Sequence, residues 1–452
     1  MKRLLPIAGI AALIGTALFF LPLDGNHPAK EESNLIGKIM GRYHQEWLMT
    51  HDPATGTIPR ERLLRAYKVA QQRRQALGVR SGIIPILWEE RGPNNIGGRT
   101  RGLIYDANDP TGRTVWAAGV SGGLWRCDDI SANPPTWANI DDFFSNLAIT
   151  TIAQDPNNPN NMYFGTGENG FGNGDAVRGM GIWQSTDGGL TWEQMPAIFI
   201  SSNPAINKVV VDNASTLFAA TNGGLFSFDA LTESWDFEMG SGNNVQDIEI
   251  AADGTMYATV NGDGIYRFVA PGPWNELTGA PLPASGFGRI ETVTAPSNPD
   301  VVYAAYESGG FCLNIFRSAD GGDNWNTATC PANLGGGNGQ LWYDLIMAVD
   351  PNDPTRVWVG GVPLYVSGDS GNNWVQATNI HVDHHALVYR PGNSDEMLFG
   401  NDGGVYRADV LEVWPDAGWE FRSTGYGVTQ FYRAAWSRAR GTLVGGTQDN
   451  GT

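Results

Sequence analysis

A long repeat runs through the sequence from Trp88 onward. Short runs of Val, Ile, Leu, Tyr and Trp alternate with turns rich in Gly, Asn, Asp and Pro, a pattern typical of β-strands joined by tight turns. Four such runs make one unit, and the units recur about every 47 residues. Eight units align on the residue that ends the first strand of each: Asp106, Asp155, Asp212, Ala251, Ala295, Asp350, Arg390 and Ser437.

Units of this length with four strands predict a β-propeller. A single four-stranded sheet cannot bury both of its faces, whereas sheets packed radially around a channel cover one another. The repeat therefore predicts an all-β fold made of four-stranded blades. Seven blades are complete in the sequence and the eighth has two strands, so we expect this chain to be a truncated form of a longer propeller protein.

The turn between the third and fourth strands carries the motif Ser-x-Asp-x-Gly-x-x-Trp in three blades. We expect its Asp to accept hydrogen bonds from backbone N–H groups of the turn and its Gly to allow a positive φ angle. Its Trp can bury a large face against the blade. The motif positions are Ser185, Asp187, Gly189, Trp192, Ser318, Asp320, Gly322, Trp325, Ser367, Asp369, Gly371 and Trp374.

These motifs resemble the Asp-box, or BNR repeat, of sialidase-type and sortilin-type propellers, in which the box is a structural hairpin. Residues 88–101 and 120–126 are similar to the opening of secreted bacterial Asp-box proteins related to sortilin's propeller and to xyloglucan-degrading propeller hydrolases. Many such proteins are exported by type IX secretion. The resemblance extends through residues 381–385 and 446–451 and covers roughly residues 40–452.

The N-terminal region differs in composition from the repeat. Lys2 and Arg3 precede an uncharged apolar run, so we expect residues 1–24 to be an export signal or, if uncleaved, a membrane anchor. Apolar residues at helical spacing predict a helical, basic segment over residues 25–84, followed by the propeller over residues 85–452. The expected location is therefore secreted or at the cell surface, with membrane contact only through the N-terminal segment.

The charge of the propeller limits its partners. Residues 85–452 contain 17 Lys and Arg residues against 41 Asp and Glu residues. A surface this acidic repels phosphate backbones, which excludes nucleic acid as an expected partner. A glycan or an extracellular protein or peptide is compatible with this charge.

Polar residues in Gly-rich loops mark one end of the predicted propeller, which we call the channel face. Carboxylates there can serve as the acid and base of glycoside hydrolysis, although turn carboxylates held by backbone N–H groups have the same appearance. The candidate catalytic residues are Glu168, Asp383, Asp402 and Asp449. The candidate ligand-binding residues are Arg99, Arg101, Glu307, Trp342 and Tyr343.

The resemblance also argues against two known hydrolase chemistries. Xyloglucan-degrading relatives place a catalytic Asp in a first-blade segment such as Thr-Asp-Ile-Gly-Gly, whereas Ser121 precedes Gly122 and Gly123 here. Sialidases carry an Arg-Ile-Pro segment, which this sequence lacks. The leading hypothesis is therefore a binding or scaffold module with its ligand on the channel face. The alternatives are a glycoside hydrolase with a different acid and base pair, and a sortilin-like peptide receptor.

A metal site is one interpretation of residues 381–385. On a regular strand His381, Asp383 and His385 project to one side, as ligands of a divalent metal would. The other interpretation is an inner strand whose polar side chains tie neighbouring blades together. Apart from this metal, no cofactor is expected.

A disulfide is one interpretation of two of the three cysteines. Cys312 and Cys330 lie symmetrically about Gly321, so a hairpin turning there would set them opposite each other. The alternative is two small apolar residues in a sheet, with Cys127 a buried thiol in either case.

Overall fold

A computed structural model describes residues 92–168, 177–198, 205–409 and 418–451, together with residues 44, 47–49, 51–56, 62, 65, 66, 69, 72 and 73. The chain divides into two compact units, Met1–Ser81 and Gly82–Thr452. In the first unit, residues 47–49 are helical and residues 51–56 form a turn in which Asp52 Oδ1 accepts a hydrogen bond from the Ala54 N–H at 2.8 Å. The predicted signal or anchor and most of the predicted helical segment lie outside the described residues.

The strands of the second unit form four-stranded antiparallel sheets, each built from consecutive strands. The first four blades have the following strands: β1 (Thr100–Tyr105), β2 (Val115–Gly119), β3 (Gly123–Cys127) and β4 (Trp137–Asn139); β5 (Ile149–Gln154), β6 (Met162–Thr166), β7 (Ile182–Ser185) and β8 (Glu193–Gln194); β9 (Ile206–Val211), β10 (Leu217–Thr221), β11 (Gly224–Asp229) and β12 (Ser234–Met239); β13 (Val245–Ile250), β14 (Met256–Val260), β15 (Gly264–Phe268) and β16 (Trp274–Leu277).

The remaining blades and the final hairpin follow in the same order along the chain. Their strands are β17 (Ile290–Ala295), β18 (Asn298–Ser308), β19 (Phe311–Ser318) and β20 (Trp325–Ala328); β21 (Ile346–Val349), β22 (Val357–Gly360), β23 (Leu364–Ser367) and β24 (Val375–Ala377); β25 (His384–Tyr389), β26 (Met397–Asn401), β27 (Gly404–Ala408) and β28 (Glu420–Phe421); and the hairpin of β29 (Phe431–Ser437) and β30 (Thr442–Thr447). One short helix in the second unit, α1 (Leu341–Asp344), precedes β21.

The seven sheets form a closed ring. The first strand of each blade contacts the first strand of the next, and β25 of the seventh blade contacts β1 of the first. The predicted all-β propeller of four-stranded blades is thus confirmed, with seven blades in the ring. Among the described strands, β29 and β30 of the eighth unit pair only with each other and form a separate sheet. Among the described helices, none combines the length and apolarity that a membrane span requires.

The core lies between neighbouring blades. All five residues of β2 are buried, as are all five of β14 and of β26, because each sheet is covered on both faces by the blades beside it. The outermost strands are short and largely exposed, as in β8, where both residues face solvent. Burial therefore falls from the inner strands to the rim, as expected for radial packing.

The Ser-x-Asp-x-Gly-x-x-Trp turns share one hydrogen-bond pattern. In the fifth blade, Ser318 Oγ accepts from the Gly322 N–H at 2.8 Å and donates to Asp320 Oδ1 at 2.8 Å. Asp320 Oδ1 also accepts from the Asn324 N–H, and Trp325 Nε1 donates to the Gly322 carbonyl at 2.9 Å. The Ser and Asp bonds recur in the turns that begin at Ser185 and Ser367. Each motif is a folded hairpin end and not part of the channel-face cluster described below.

A disulfide joins Cys312 of β19 to Cys330, which follows β20, with Cα atoms 6.1 Å apart. The hairpin that turns near Gly321 brings the two residues together, because β19 and β20 pair in antiparallel register. Cys127 is a buried thiol at the end of β3.

Five inner strands begin with a β-bulge, in which one residue has no partner on the second strand. The bulged residues are Arg101, Thr150, Asn207, Gln246 and His385. All five line a channel cavity of about 750 Å³ inside the ring. A bulge re-aims a side chain relative to the regular alternation of a strand, so the bulges supply the channel with polar groups.

Candidate functional site

A pocket of about 520 Å³ lies at the channel face. Segments that are far apart in sequence converge there. They are the residue before β1, helix α1 with its N-cap residue, the residue before β25, the loop between β26 and β27, and the residues after β30. The pocket is lined by Arg99, Gln340, Trp342, Tyr343, Asp344, Asp383, Asp402, Gln448 and Asp449. Four of these nine residues are aspartates and one is a cation, so the pocket has an acidic character.

Arg99 and Asp402 form the buried centre of the site. Arg99 Nε and Nη2 donate to the two oxygens of Asp402, each at 2.7 Å, which is a bidentate pair. Burial raises the pKa of Asp402, but the hydrogen bonds from Arg99 and His385 outweigh it and hold that pKa well below its usual range. Asp402 is therefore a carboxylate whose oxygens are already engaged.

Asp449 is a second partner of Arg99. Its Oδ2 lies 3.1 Å from Arg99 Nη2, and its side chain is 40% exposed against 3% for Asp402. The residues after β30 are held at the pocket by two further bonds: Asn450 Nδ2 donates to the Asp402 carbonyl at 2.8 Å, and His381 Nε2 lies 3.2 Å from the Asp449 carbonyl oxygen. The hairpin outside the seven-bladed ring thus supplies one wall of the pocket.

Tyr343 lies between two arginines. The guanidinium carbons of Arg99 and Arg101 lie 5.1 Å and 4.4 Å from its ring centroid, within cation–π range. Its hydroxyl donates to Glu168 and accepts from Arg99 Nη1, and its carbonyl accepts from Arg289 Nη1 at 2.6 Å. Burial raises the pKa of this Tyr343 hydroxyl well above its usual range, so it stays protonated. Tyr343 connects the pocket to the channel.

His385 completes this network as a neutral ring. Burial and the neighbouring Arg101 lower its pKa to about 3. Its Nε2 lies 2.8 Å from Asp402 Oδ1 and its Nδ1 lies 3.2 Å from Arg101 Nη2. Since Arg101 can only donate, Nδ1 accepts and Nε2 carries the proton that is donated to Asp402.

Asp383 is the carboxyl group in the pocket whose proton is held most firmly. Burial, followed by the charges of Asp344, Asp402 and Asp449, raises its pKa to about 8. Its backbone has a φ of 63°, and Asp449 has a φ of 59°. Both residues thus hold the left-handed conformation, which is uncommon outside glycine although Asp tolerates it better than most residues.

The structure separates the predicted site residues into two groups. The first group lies in the pocket or in the hydrogen-bond network beneath it, and it consists of Arg99, Arg101, Trp342, Tyr343, Glu168, Asp383, Asp402 and Asp449. Glu307 does not, because its Oε2 accepts from the Arg289 N–H at 2.9 Å and its Oε1 from the Gly310 N–H. Glu307 is a turn carboxylate, which was the alternative explanation from the sequence.

The predicted metal ligands do not converge. His385 faces Asp402 and Arg101, His381 Nδ1 lies 3.0 Å from the Val382 carbonyl, and Asp383 Oδ1 accepts from Gln340 Nε2. The positive φ of Asp383 and the bulge at His385 break the strand alternation on which the prediction depended. Within the described ranges, no group of three or more His, Cys, Asp or Glu side chains is arranged to hold a metal ion.

Asp344 and Gln340 were missed by sequence reasoning. Both belong to the short helical turn of α1, with Gln340 at its N-cap position and Asp344 as its last residue. A four-residue helix leaves no periodic pattern in a sequence, so the only available signal was the proximity of Asp344 to Trp342 and Tyr343.

Comparisons with known proteins agree with this fold. No family model matches the sequence. The chain is 22% identical over 346 residues to a protein of Neosartorya fischeri described as a "Probable oligoxyloglucan-reducing end-specific xyloglucanase", covering 71% of this chain and 38% of that protein. It is 31% identical over 142 residues to a xyloglucanase of Paenibacillus sp, covering 28% of this chain and 13% of that one. The chain thus spans well under half the length of these relatives.

Solved structures show the same architecture. The GH74 xyloglucanase of Xanthomonas campestris superposes with a TM-score of 0.59 at 18% identity, covering 79% of this chain and 59% of that one. The Niastella koreensis GH74 enzyme gives a TM-score of 0.58 at 19% identity, covering 78% of this chain and 58% of that one. The expected likeness to xyloglucan-degrading propellers is supported at the level of fold and distant sequence similarity. The sortilin likeness and type IX export remain predictions.

Proposed function

We propose that the channel-face pocket is the active site of a polysaccharide hydrolase that acts on xyloglucan or a related neutral glycan. The carrying observation is that Asp383 and the more exposed Asp449 line one pocket, where burial and neighbouring carboxylates raise the pKa of Asp383 to about 8. The similarity to proteins named xyloglucanases supports the same conclusion. It favours the hydrolase alternative over the binding module preferred from sequence.

Glycoside hydrolysis requires an acid that protonates the leaving oxygen and a carboxylate that acts as base or nucleophile. We assign the acid to Asp383, because its raised pKa leaves it protonated at pH 7. We assign the second role to Asp449, whose side chain is reachable by water. Asp402 is unsuited to either role because Arg99 and His385 occupy its oxygens.

Two other features of the pocket suit a sugar chain. Trp342 lies at the edge with 37% of its surface exposed, and an aromatic face of this kind can pack against a sugar ring. The acidic lining also disfavours uronic acids by charge repulsion, which is compatible with a neutral glycan such as xyloglucan.

The test uses the full chain incubated with xyloglucan, with products identified by mass spectrometry. We expect cleavage that falls by about 100-fold or more in D383N, the usual range for loss of general acid catalysis. D142N is the matched control, because Asp142 is an exposed residue after β4, and it should retain full activity. Equal activity of D383N and the control would contradict the assignment of Asp383.

A glycan-binding module without hydrolysis is the second candidate. Val120 and Ser121 precede Gly122 and Gly123 in the first blade, and neither is a carboxylate. Binding of xyloglucan by the wild type without any product would establish this second function. Absence of both binding and products would contradict both functions.

We further propose that the protein works outside the cell, because residues 4–23 have the composition of an export signal.

A further inference from the structure

The half-buried Gln340 amide connects Asp383 to a second carboxyl group in the pocket. Gln340 Nε2 lies 3.0 Å from Asp344 Oδ2 and 3.3 Å from Asp383 Oδ1. An amide nitrogen has two N–H groups, so Gln340 can donate to both carboxyl groups at once. The two acids are therefore held in one unit.

Asp344 is placed where a carboxylate is costly. Only 1% of its surface is exposed, and its Oδ1 has no hydrogen-bond partner among the described residues. A buried oxygen without a hydrogen-bond partner destabilises the folded state, so a purely structural role explains this residue poorly. Its position next to the proposed acid offers a reason for the cost.

We infer that Asp344 is a positioning residue for Asp383: through the Gln340 amide it orients the Asp383 carboxyl group, and by its own negative charge it keeps the proton on that group. The inference depends on the proposed role of Asp383. It adds to that role a second carboxyl group, which acts through Asp383.

Most of the charged groups around Asp383 favour its protonated form. Asp344, Asp402 and Asp449 face Asp383 from three separate segments and favour its protonated form, while Arg99 opposes them. Burial has the largest influence on Asp344 and favours its protonated form. The hydrogen bond from Gln340 opposes it, Asp402 favours the protonated form, and Arg101 and Arg289 favour the ionised form. The pKa of Asp344 is about 6, so at neutral pH it is largely ionised while Asp383, with a pKa of about 8, is still protonated.

The first test is the pH dependence of xyloglucan cleavage by wild type and D344N. The amide of D344N can still accept a hydrogen bond from Gln340 but carries no charge. We expect the basic limb of the profile to move to lower pH by about one unit, as for loss of one neighbouring like charge. A profile that falls equally at every pH, with an unmoved basic limb, would overturn the inference.

The second test needs no activity, which separates failure of this inference from failure of the proposed function. Both acids have a folded-state pKa above the unfolded value near 4, so they stabilise the protein at low pH and this stability is lost as pH rises through about 6 and 8. We expect the melting temperature of the wild type to fall more between pH 5 and pH 8 than that of D344N. Parallel curves would show a merely structural Asp344.

Q340A separates the effect of the Gln340 hydrogen bonds from the effect of the Asp344 charge, and it keeps the inference testable if D344N does not fold. This variant removes the amide but leaves the charge of Asp344 in place. We expect at least a tenfold lower rate with the basic limb unmoved, because Asp383 loses its orientation and keeps its proton. An unchanged rate would show that these hydrogen bonds have no role.

Discussion

At the scale of single residues, Arg99 binds two carboxylates that differ in burial and in the number of hydrogen bonds they accept. Asp402 is 3% exposed and Asp449 is 40% exposed. We expect D402N to lower the free energy of unfolding by about 3–5 kcal/mol, because a buried arginine loses its partner. D449N should cost about 0–1 kcal/mol, as exposed ion pairs do. Urea denaturation at pH 7 measures both values.

The pH dependence of this comparison has a definite sign. The pKa of Asp402 is lowered in the folded state, so its contribution is present above the unfolded value near 4 and is lost as pH falls below it. The gap between wild type and D402N should therefore shrink below about pH 4. Equal losses in D402N and D449N at pH 7 would contradict the view that burial makes the first pair the structural centre.

Residue types in Gly-rich loops were sufficient to predict much of the site, including Arg99, Tyr343 and Asp402. The direction in which a side chain points was harder to predict than its position in the fold. His385 points into the network because a bulge re-aims it, and Asp383 leaves the strand alternation through its positive φ. Neither deviation has a local sequence signature, so the metal hypothesis assumed a regular strand and was wrong about convergence.

At the scale of structural elements, the Ser-x-Asp-x-Gly-x-x-Trp turn depends on a buried hydroxyl. Ser318 is fully buried, and its Oγ accepts from the Gly322 N–H at 2.8 Å. We expect S318A to lower the free energy of unfolding by about 1–3 kcal/mol, because this buried donor loses its acceptor. S234A removes an exposed hydroxyl from β12 and should change stability by about 0.5 kcal/mol or less. Similar urea midpoints for the two variants would show that the turn tolerates loss of this bond.

These elements also show why strands were easier to predict than the helix. Four apolar runs per unit and a recurring turn motif specify a blade, since every blade must bury both faces in the same way. Within the described part of the propeller, helix α1 interrupts that repeat once, in the insertion before β21, and brings Asp344 and Gln340 into the pocket. An element that occurs once cannot be found by comparing the units with one another.

At the scale of the whole molecule, closure of the ring depends on packing between its first and last blades. Each blade uses consecutive strands, so no strand is shared between the seventh blade and the first. Tyr426 follows β28 and packs on the first blade, with its ring centroid 5.6 Å from that of Trp125 and 4.8 Å from that of Trp137. This fully buried residue therefore packs the last blade of the propeller against the first.

The packing of Tyr426 between the first and last blades leads to a prediction about unfolding. We expect Y426A to lower the free energy of unfolding by about 3–5 kcal/mol, as for other large buried aromatics. The control is Y432A, since Tyr432 lies on the exposed hairpin with 59% of its surface accessible, and it should change this free energy by about 0.5 kcal/mol or less. If the seven blades unfold together, Y426A shifts the urea midpoint without changing the slope of the transition. A separate transition at low urea would instead show that the end blades open independently, and would contradict a ring whose stability depends on closure.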